Sequence, residues 1–359
     1  MRLSAKILFI QGFNSNFNCK GKPVIFVQLL MMLVIILIAA EVFTNALEHL
    51  GEKLDISEGV TGSIFAAVGT ALPETLVPLL AIFSYTSATG AAGAGHDIGV
   101  GAILGAPLML ATLSLSLMAV SVWKRRTIQG HLRPERTGLM RDLNYFIFAF
   151  TVAAIAMYVP HTQELVRYGI SFLMVMIYVV YVYMTIRASK GLVEEGHATE
   201  AGSDMFLCRL GLPNNMAVVV VQMLLGLALL IIGAKGFINQ VEGVAAIVGI
   251  SALLLSLLII PIATELPEKV NSILWIRKGK DTLAFGNITG AMVFQGTLLP
   301  AIGIMLTPWE PRKEVLWGII VTLIAAIWLR LVASKSDLRV WHLLVNGAMY
   351  LTYLAIVLI

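Results

Sequence analysis

The amino-acid sequence predicts an all-α polytopic membrane protein with ten transmembrane helices, arranged as two inverted five-helix repeats. Of its 359 residues, 58% are apolar and only 13% are charged, about half the charged fraction of an average soluble domain. Apolar runs of about 20 residues, the length of a membrane-spanning helix, recur from one end of the chain to the other. The third observation is an internal repeat, in which the second half of the chain carries motifs of the first.

Ten apolar segments are the predicted spans. They cover residues 24–48, 58–86, 97–123, 142–159, 164–187, 215–239, 242–276, 282–306, 314–333 and 338–359. The predicted organisation is an N-terminal extension at 1–23, a first five-helix repeat at 24–187, a linker at 188–213 and a second five-helix repeat at 214–359. The second and seventh spans are long and interrupted by glycine and proline, which predicts discontinuous helices.

Lysine and arginine residues concentrate in the connections after the odd-numbered spans, whereas 87–96 and 160–163 contain none. Because positively charged loops tend to stay in the cytoplasm, we predict that the odd connections, including the linker, are cytoplasmic and that both termini lie outside. Arg312, Lys313 and the basic extension run against this pattern. The net charge of +4 is thus explained by topology, and we expect no nucleic-acid partner. The prediction is an integral protein of a bacterial-type inner membrane, and the sequence indicates no oligomeric state.

The internal repeat has two parts. A shift of 194 positions aligns Leu72-Pro73-Glu74 with Leu266-Pro267-Glu268 without a gap, and a shift of 185 aligns the glycine-rich segments 101–106 and 286–291. Each half contains five spans, an odd number, so the two copies have opposite orientations in the membrane. Inverted repeats of this kind place a substrate near the bilayer midplane between them.

The Leu-Pro-Glu motifs place carboxylates at mid-membrane depth, where a charge needs a cation, a proton or a basic partner. Proline has no N–H, so each motif also frees the backbone carbonyl four residues earlier. Carboxylate, hydroxyl and carbonyl oxygens are the ligands of hard cations. The predicted metal ligands are the carboxylates of Glu74 and Glu268, the hydroxyls of Thr70 and Thr264, and the carbonyls of Gly69 and Ala263.

Two further polar positions complete the candidate set. Glu265 has no counterpart in the first half and precedes Lys269 by four residues, so it is either half of an ion pair along the helix or a third functional carboxylate. Asn287 offers an amide carbonyl as a neutral ligand. Asp97 and Asp281 are interpreted as solvated caps at the ends of spans. The glycines of the second motif, at positions 101, 105, 286 and 290, predict close helix approach.

These motifs resemble those of the sodium/calcium exchanger family, in the Ca²⁺/cation antiporter superfamily. That family carries two inverted repeats, each with a Gly-Thr-Ser-Leu-Pro-Glu-like helix followed by a Gly-Asn-x-x-Gly-Ser-Asn-like helix. The resemblance implies that Glu74 and Glu268 coordinate Ca²⁺, that Thr70 and Thr264 contribute oxygens to the calcium and sodium sites, and that Asn287 is the retained motif asparagine. The chain departs from the pattern at Ala71, Glu265, Ala106-Pro107 and Ala291-Met292.

The expected function is secondary active cation antiport, exchanging Ca²⁺ for Na⁺ by alternating access at a midplane site. The first alternative is exchange of Ca²⁺ or another cation for H⁺, favoured by the loss of motif oxygens and the presence of Glu265. An intramembrane enzyme with the paired glutamates as acid and base is disfavoured, because no nucleophile–histidine set lies at matching depth. The expected partners are inorganic cations and the lipid bilayer, without a resident cofactor.

Overall fold

The computed structural model describes residues 22–53, 74–83, 92–193, 204–335 and 338–358. Within these ranges the regular secondary structure is helical apart from one isolated bridge between His131 and Arg339. The helices are α1 (Lys22–Lys53), α2 (Glu74–Phe83), α3 (Ala92–Met109, a π-helical turn at Leu110–Ser114, and Leu115–Arg126), α4 (Arg136–Ala156), α5 (Glu164–Val193), α6 (Met216–Val248), α7a (Ala252–Thr264), α7b (Leu266–Arg277), α8 (Asp281–Leu306), α9 (Lys313–Ser334) and α10 (Val340–Leu358).

The chain is an integral membrane protein of the all-helical class. In the described part of the chain, eight helices are long and apolar enough to cross a bilayer, and two shorter apolar helices lie in the predicted second and seventh spans. The count of ten stays a prediction, because residues 54–73 lie outside the described part. The extension at 1–21 and the site residues Gly69 and Thr70 also lie outside it.

The predicted boundary between the sixth and seventh spans, at 240–241, is wrong. The α6 helix continues to Val248 and ends at Gly249, which has a left-handed backbone with φ +79°. The α7a helix then begins after Ser251, whose hydroxyl accepts a hydrogen bond from the Leu254 N–H at 3.1 Å. Glycine reaches positive φ without steric cost, and serine satisfies a free N–H at a helix start. Residues 240–241 contain neither signal.

Part of the predicted solvated linker is packed against the helices. The α5 helix extends six residues past the predicted end of its span, to Val193, and a helical turn at Phe206–Arg209 follows the undescribed residues. The Phe206 N–H donates to the Asn45 side chain at 3.1 Å, and the Leu207 N–H donates to the Gln222 side chain at 2.9 Å. The end of the linker is therefore hydrogen-bonded to α1 and α6.

Two apolar clusters form the interior of the bundle. The larger one joins α3, α4, α8, α9 and α10 and includes Phe146, Phe150 and Ile288. The second joins α1, α2, α3, α6 and α7a, with Ile36 and Phe237 fully buried between α1 and α6. Helices from opposite halves of the chain thus pack against each other, and α3 contributes to both clusters.

Candidate cation-binding site

The seventh span is broken in the middle, as predicted. The α7a helix ends at Thr264 and α7b begins at Leu266, with Glu265 between them at φ −92° and ψ 9°. Pro267 lies in the first turn of α7b. Because proline has no N–H, the backbone hydrogen bond that would join the two helices through Ala263 cannot form. The break therefore arises directly from the Leu-Pro-Glu motif.

Polar side chains at the break are buried. Thr264 is 3% exposed, and its hydroxyl donates to the Ile260 carbonyl at 3.2 Å within its own helix. A hydroxyl that donates its only hydrogen still has oxygen lone pairs to offer a cation. Glu265 is fully buried. Glu268 lies on α7b, and its side chain, like that of Ala263, is outside the described residues.

Glu265 is one half of a buried ion pair. The Lys269 ammonium nitrogen lies 3.2 Å from Glu265 Oε2. The same nitrogen donates to the Pro261 carbonyl at 3.0 Å and contacts the Met109 sulfur at 3.8 Å. Of the two interpretations that the sequence left open for Glu265, the structure shows the pairing along the helix.

The α3 helix approaches α7a at its glycines, as the small-residue spacing predicts. A Cβ atom on Gly101 would lie 2.5 Å from the Leu253 carbonyl oxygen, and one on Gly105 would overlap the Leu257 carbonyl oxygen. Pro261, inside α7a, leaves that Leu257 carbonyl without its helical donor. Sequence analysis missed this proline, although it is the second proline in one apolar run.

The same prediction of close approach at glycines is wrong for α8. Among the described residues, a Cβ atom on Gly286 would have no neighbour within 4 Å, and one on Gly290 would lie 3.7 Å from the Tyr181 hydroxyl.

The α3 helix is itself irregular beside the break. A π-helical turn at Leu110–Ser114 follows Met109, the residue that contacts Lys269. The Asn346 amide of α10 donates to the Ala111 carbonyl at 2.8 Å and to the Ala325 carbonyl of α9 at 3.1 Å. π-Helical turns occur often at functional sites, and here one lies in the helix that packs against the broken span.

The α8 motif lies against α7b. The Asn287 amide nitrogen donates to the Ser272 hydroxyl at 2.9 Å, and Ser272 is fully buried one helical turn after Glu268. Donation through the nitrogen is compatible with the predicted use of the Asn287 carbonyl oxygen as a ligand. Sequence analysis did not single out Ser272.

Glu74 is buried, with 3% of its surface exposed, and lies in α2. This helix packs closely on α3, because a Cβ atom on Gly99 would lie 2.6 Å from Ile82 and 3.3 Å from the Pro78 carbonyl oxygen. Through α3, α2 is connected to the broken seventh span. Convergence of the Glu74 and Glu268 carboxylates on one cation stays a prediction.

The interpretation of Asp97 and Asp281 as solvated caps is wrong. Asp281 is buried and accepts two hydrogen bonds at 2.8 Å from the Arg126 guanidinium and one at 2.8 Å from the Arg133 N–H. Asp97 lies within α3 and forms a 2.8 Å ion pair with Arg312 at the opposite end of the bundle. That hydrogen bond raises the pKa of Arg312 above its ordinary value. Both aspartates have arginine partners distant in sequence, which local spacing cannot reveal.

The fold defines a polytopic helical membrane protein. One of its spanning helices is broken at buried charged residues, Glu265 and Lys269. The sodium/calcium exchanger protein family matches residues 24–187 and 218–359. The chain belongs to this family.

Individual relatives extend over most of the chain. The protein CaxA of Alkalimonas amylolytica is 28% identical over 282 residues, 78% of this chain and 80% of CaxA. Inner membrane protein YrbG of Escherichia coli (strain K12) is 25% identical over 284 residues, 79% of this chain and 80% of YrbG. The crystal structure of the H⁺/Ca²⁺ exchanger CAX superposes with a TM-score of 0.69 at 18% identity, covering 98% of this chain and 85% of that one. At this identity the likeness concerns the fold.

Proposed function

We propose that the protein is a secondary active cation antiporter that exchanges Ca²⁺ for Na⁺ by alternating access at a site between its two halves. The observation that carries the proposal is the break in the seventh span, where buried Thr264 and Glu265 interrupt the helix beside the glycine motif of α3. A broken helix inside the membrane is tolerated where it lines a site. Membership of the sodium/calcium exchanger family supports this function.

The proposed ligands come from both repeats. Glu74 and Glu268 supply the charged oxygens, and Thr264, Thr70 and Asn287 supply neutral side-chain oxygens, together with the carbonyls that the motif prolines free at Gly69 and Ala263. Two carboxylates balance one Ca²⁺, and the same pair can hold monovalent cations or protons in its place. Glu265 is assigned to Lys269 rather than to the transported ion, on the 3.2 Å distance between them.

Exchange of one cation for another is explained by the unfavourable free energy of a site that crosses the membrane without a bound cation. Two unbalanced carboxylates inside the membrane are strongly disfavoured, so the protein switches between its two faces only when a cation neutralises them. This requirement couples the inward movement of one ion to the outward movement of the other.

The test is Glu74→Gln, assayed as ⁴⁵Ca²⁺ uptake into proteoliposomes with a Na⁺ gradient. The amide keeps the shape of the side chain but removes one of the two negative charges, so we expect uptake to fall to background with a normal unfolding temperature. Glu164→Gln is the matched control, because Glu164 is exposed in the first turn of α5 and its change should leave uptake intact. Wild-type uptake rates in the Glu74→Gln protein would contradict the proposal.

The second candidate is exchange of Ca²⁺ for H⁺. It is favoured by the absence of several motif oxygens, at Ala71, Ala106 and Ala291, and by the fold shared with an H⁺/Ca²⁺ exchanger. Ionophores separate the two: collapse of the Na⁺ gradient with monensin at clamped pH should stop Na⁺-coupled uptake, whereas collapse of the pH gradient with nigericin at matched K⁺ should stop H⁺-coupled uptake.

The remaining assignments follow from this function. We propose a transporter rather than an enzyme, located in a bacterial-type inner membrane, with the linker at 188–213 cytoplasmic and both termini outside. The two repeats at 24–187 and 214–359 would form the two halves of the transport site, and residues 1–23 an extension outside it. The name of the inner membrane relative YrbG and the family match in two blocks support these assignments.

A further inference from the structure

We infer that the ammonium group of Lys269 is a resident cation of the transport site, so that the protein exchanges one Ca²⁺ for two monovalent cations and moves no net charge. The inference rests on the proposed function and concerns its stoichiometry. It starts from a lysine that is 7% exposed in the interior of a membrane protein, where a charged side chain is expensive and signals a role.

Lys269 is bound as a small cation would be. Its nitrogen lies 3.0 Å from the Pro261 carbonyl oxygen and 3.2 Å from a Glu265 carboxylate oxygen, and carbonyl and carboxylate oxygens are the typical ligands of hard cations. The side chain starts on α7b and reaches a carbonyl of α7a, so it spans the break between them. The third neighbour is the Met109 sulfur, at 3.8 Å, immediately before the π-helical turn of α3.

The pair is present in one repeat only. The shift of 194 positions that aligns the Leu-Pro-Glu motifs places Glu265 opposite Ala71 and Lys269 opposite Thr75, so neither has a charged counterpart. The second repeat therefore carries a carboxylate and an ammonium that compensate each other. A carboxylate that served only to bind transported ions would not need a lysine held against it.

The charges of the site set the stoichiometry. Glu74, Glu265 and Glu268 supply three negative charges, and Lys269 reduces them to two. One Ca²⁺ or two monovalent cations restore neutrality, and a site that crosses the membrane with an unbalanced charge is disfavoured. Replacement of Lys269 by a neutral residue leaves a third negative charge at the site. Three monovalent cations neutralise that site, whereas one Ca²⁺ leaves it with one net negative charge, so we expect exchange to become slower and to move one net charge per cycle.

The experiment measures the equilibrium Ca²⁺ ratio across proteoliposomes at a fixed Na⁺ gradient, with the membrane potential set by K⁺ and valinomycin. We expect no effect of potential on the wild type. For Lys269→Gln we expect an apparent Hill coefficient for Na⁺ that rises from about two to about three, and a Ca²⁺ ratio that shifts by about 50-fold per 100 mV, the effect of one net charge. The inference would be overturned if the Ca²⁺ ratio of the wild type depended on the membrane potential. It would also be overturned if Lys269→Gln transported Ca²⁺ with a ratio that did not depend on the membrane potential.

Two variants serve as controls. The double variant Glu265→Gln with Lys269→Gln removes the pair together, so it should return to potential-independent exchange with a Na⁺ coefficient of about two. Lys235→Gln removes an exposed lysine from α6 and should keep the wild-type stoichiometry. A double variant that still responds to potential would show that the extra charge movement does not come from Glu265.

A binding measurement separates failure of the inference from failure of the proposed function. The unfolding temperature in detergent is titrated with Na⁺, which reports ion binding without transport. We expect Lys269→Gln to show additional Na⁺-dependent stabilisation that the double variant lacks. If no cation gradient drives Ca²⁺ uptake by the wild type, the proposed function fails, while this titration still tests whether Lys269 replaces a monovalent ion. If Na⁺ raised the unfolding temperature equally in the wild type, Lys269→Gln and the double variant, the assignment of Lys269 as a resident cation would be wrong.

Discussion

Asp142 is a buried carboxylate within the helical bundle, outside both repeat motifs. Its two oxygens accept hydrogen bonds from the Tyr181 hydroxyl at 3.0 Å and the Thr289 hydroxyl at 2.7 Å. These contacts join α4, α5 and α8, and Thr289 lies two residues after Asn287. In the sequence Asp142 stands at the predicted start of a span, beside a basic connection, and resembles an ordinary interfacial charge. Its position in the structure makes it a support for the part of α8 that faces the candidate site.

We predict that Asp142→Ala lowers the free energy of unfolding by about 2–3 kcal/mol, because it removes the charged acceptor of two buried donors. Thr289 keeps a second acceptor, the Phe285 carbonyl at 3.0 Å, so most of the loss should come from Tyr181. Denaturant unfolding in detergent measures the change, and coupling between Asp142→Ala and Tyr181→Phe assigns it. Asn144, two residues away, is exposed and accepts a hydrogen bond from the Arg330 guanidinium. Asn144→Ala should cost less than about 1 kcal/mol, because water can replace that exposed bond.

At the scale of helices, the close packing of α3 on α7a depends on two glycines, which have no side chain. Gly101 and Gly105 let the α3 backbone lie directly on the Leu253 and Leu257 carbonyls. Within a membrane, small residues permit the close backbone approach that holds helices together. The same interface carries two irregularities, the proline inside α7a and the π-helical turn of α3, so it combines tight packing with incomplete helical hydrogen bonding.

We predict that Gly105→Ala destabilises the protein by about 1–3 kcal/mol and slows ion exchange, because the added methyl group must displace the α7a backbone rather than a flexible side chain. Gly169→Ala is the matched control. Among the residues that the structure describes, a Cβ atom at Gly169 would have no neighbour within 4 Å. Alanine stabilises a helix interior by up to about 1 kcal/mol relative to glycine. Unfolding midpoints and Ca²⁺ flux for the two variants check the prediction, and equal effects would contradict the packing explanation.

At the scale of the whole molecule, one ion pair joins α3 to the α8 region at each end of the bundle. Arg126 at the end of α3 binds Asp281 at the start of α8, and Asp97 near the start of α3 binds Arg312 just beyond the end of α8. Asp281 follows Asp97 by 184 positions and Arg312 follows Arg126 by 186, close to the shift of 185 that relates the glycine motifs. The two pairs therefore occupy nearly equivalent positions of the internal repeat, each one residue away from exact register. One connects α3 to the start of α8, and the other connects α3 to Arg312, the N-cap residue of α9, at the opposite end of the bundle.

The two pairs should contribute unequally to stability, because Asp281 is 6% exposed and Asp97 is 26% exposed. We predict a loss of about 2–3 kcal/mol for Asp281→Ala, which leaves a partly buried guanidinium without its partner. For Asp97→Ala we predict less than about 1 kcal/mol, since water screens its pair. Thermal unfolding at low and high salt measures both, and the Asp97 effect should shrink further in high salt. A larger loss of stability for Asp97→Ala than for Asp281→Ala would contradict the explanation that the more buried ion pair contributes more.

The sequence by itself determined the helical membrane class, the break in the seventh span, the close approach at Gly101 and Gly105, and the family. These features follow from local chemistry: apolar length, the missing N–H of proline and the missing side chain of glycine act wherever they stand in the chain. The position of the α6 end was also available locally, in Gly249 and Ser251, but the apolar pattern concealed it.

Only the tertiary structure decided the partners of the charged residues. Sequence spacing left Glu265 open between two roles, and the pair with Lys269 became evident from a 3.2 Å distance. Asp281 pairs with Arg126, Asp97 pairs with Arg312, and Asp142 accepts a hydrogen bond from Thr289. In each case the two residues are more than 100 positions apart in the sequence. A side chain's charge is a property of the residue, whereas its neutralisation depends on which helix packs beside it, and that is determined by the assembled bundle.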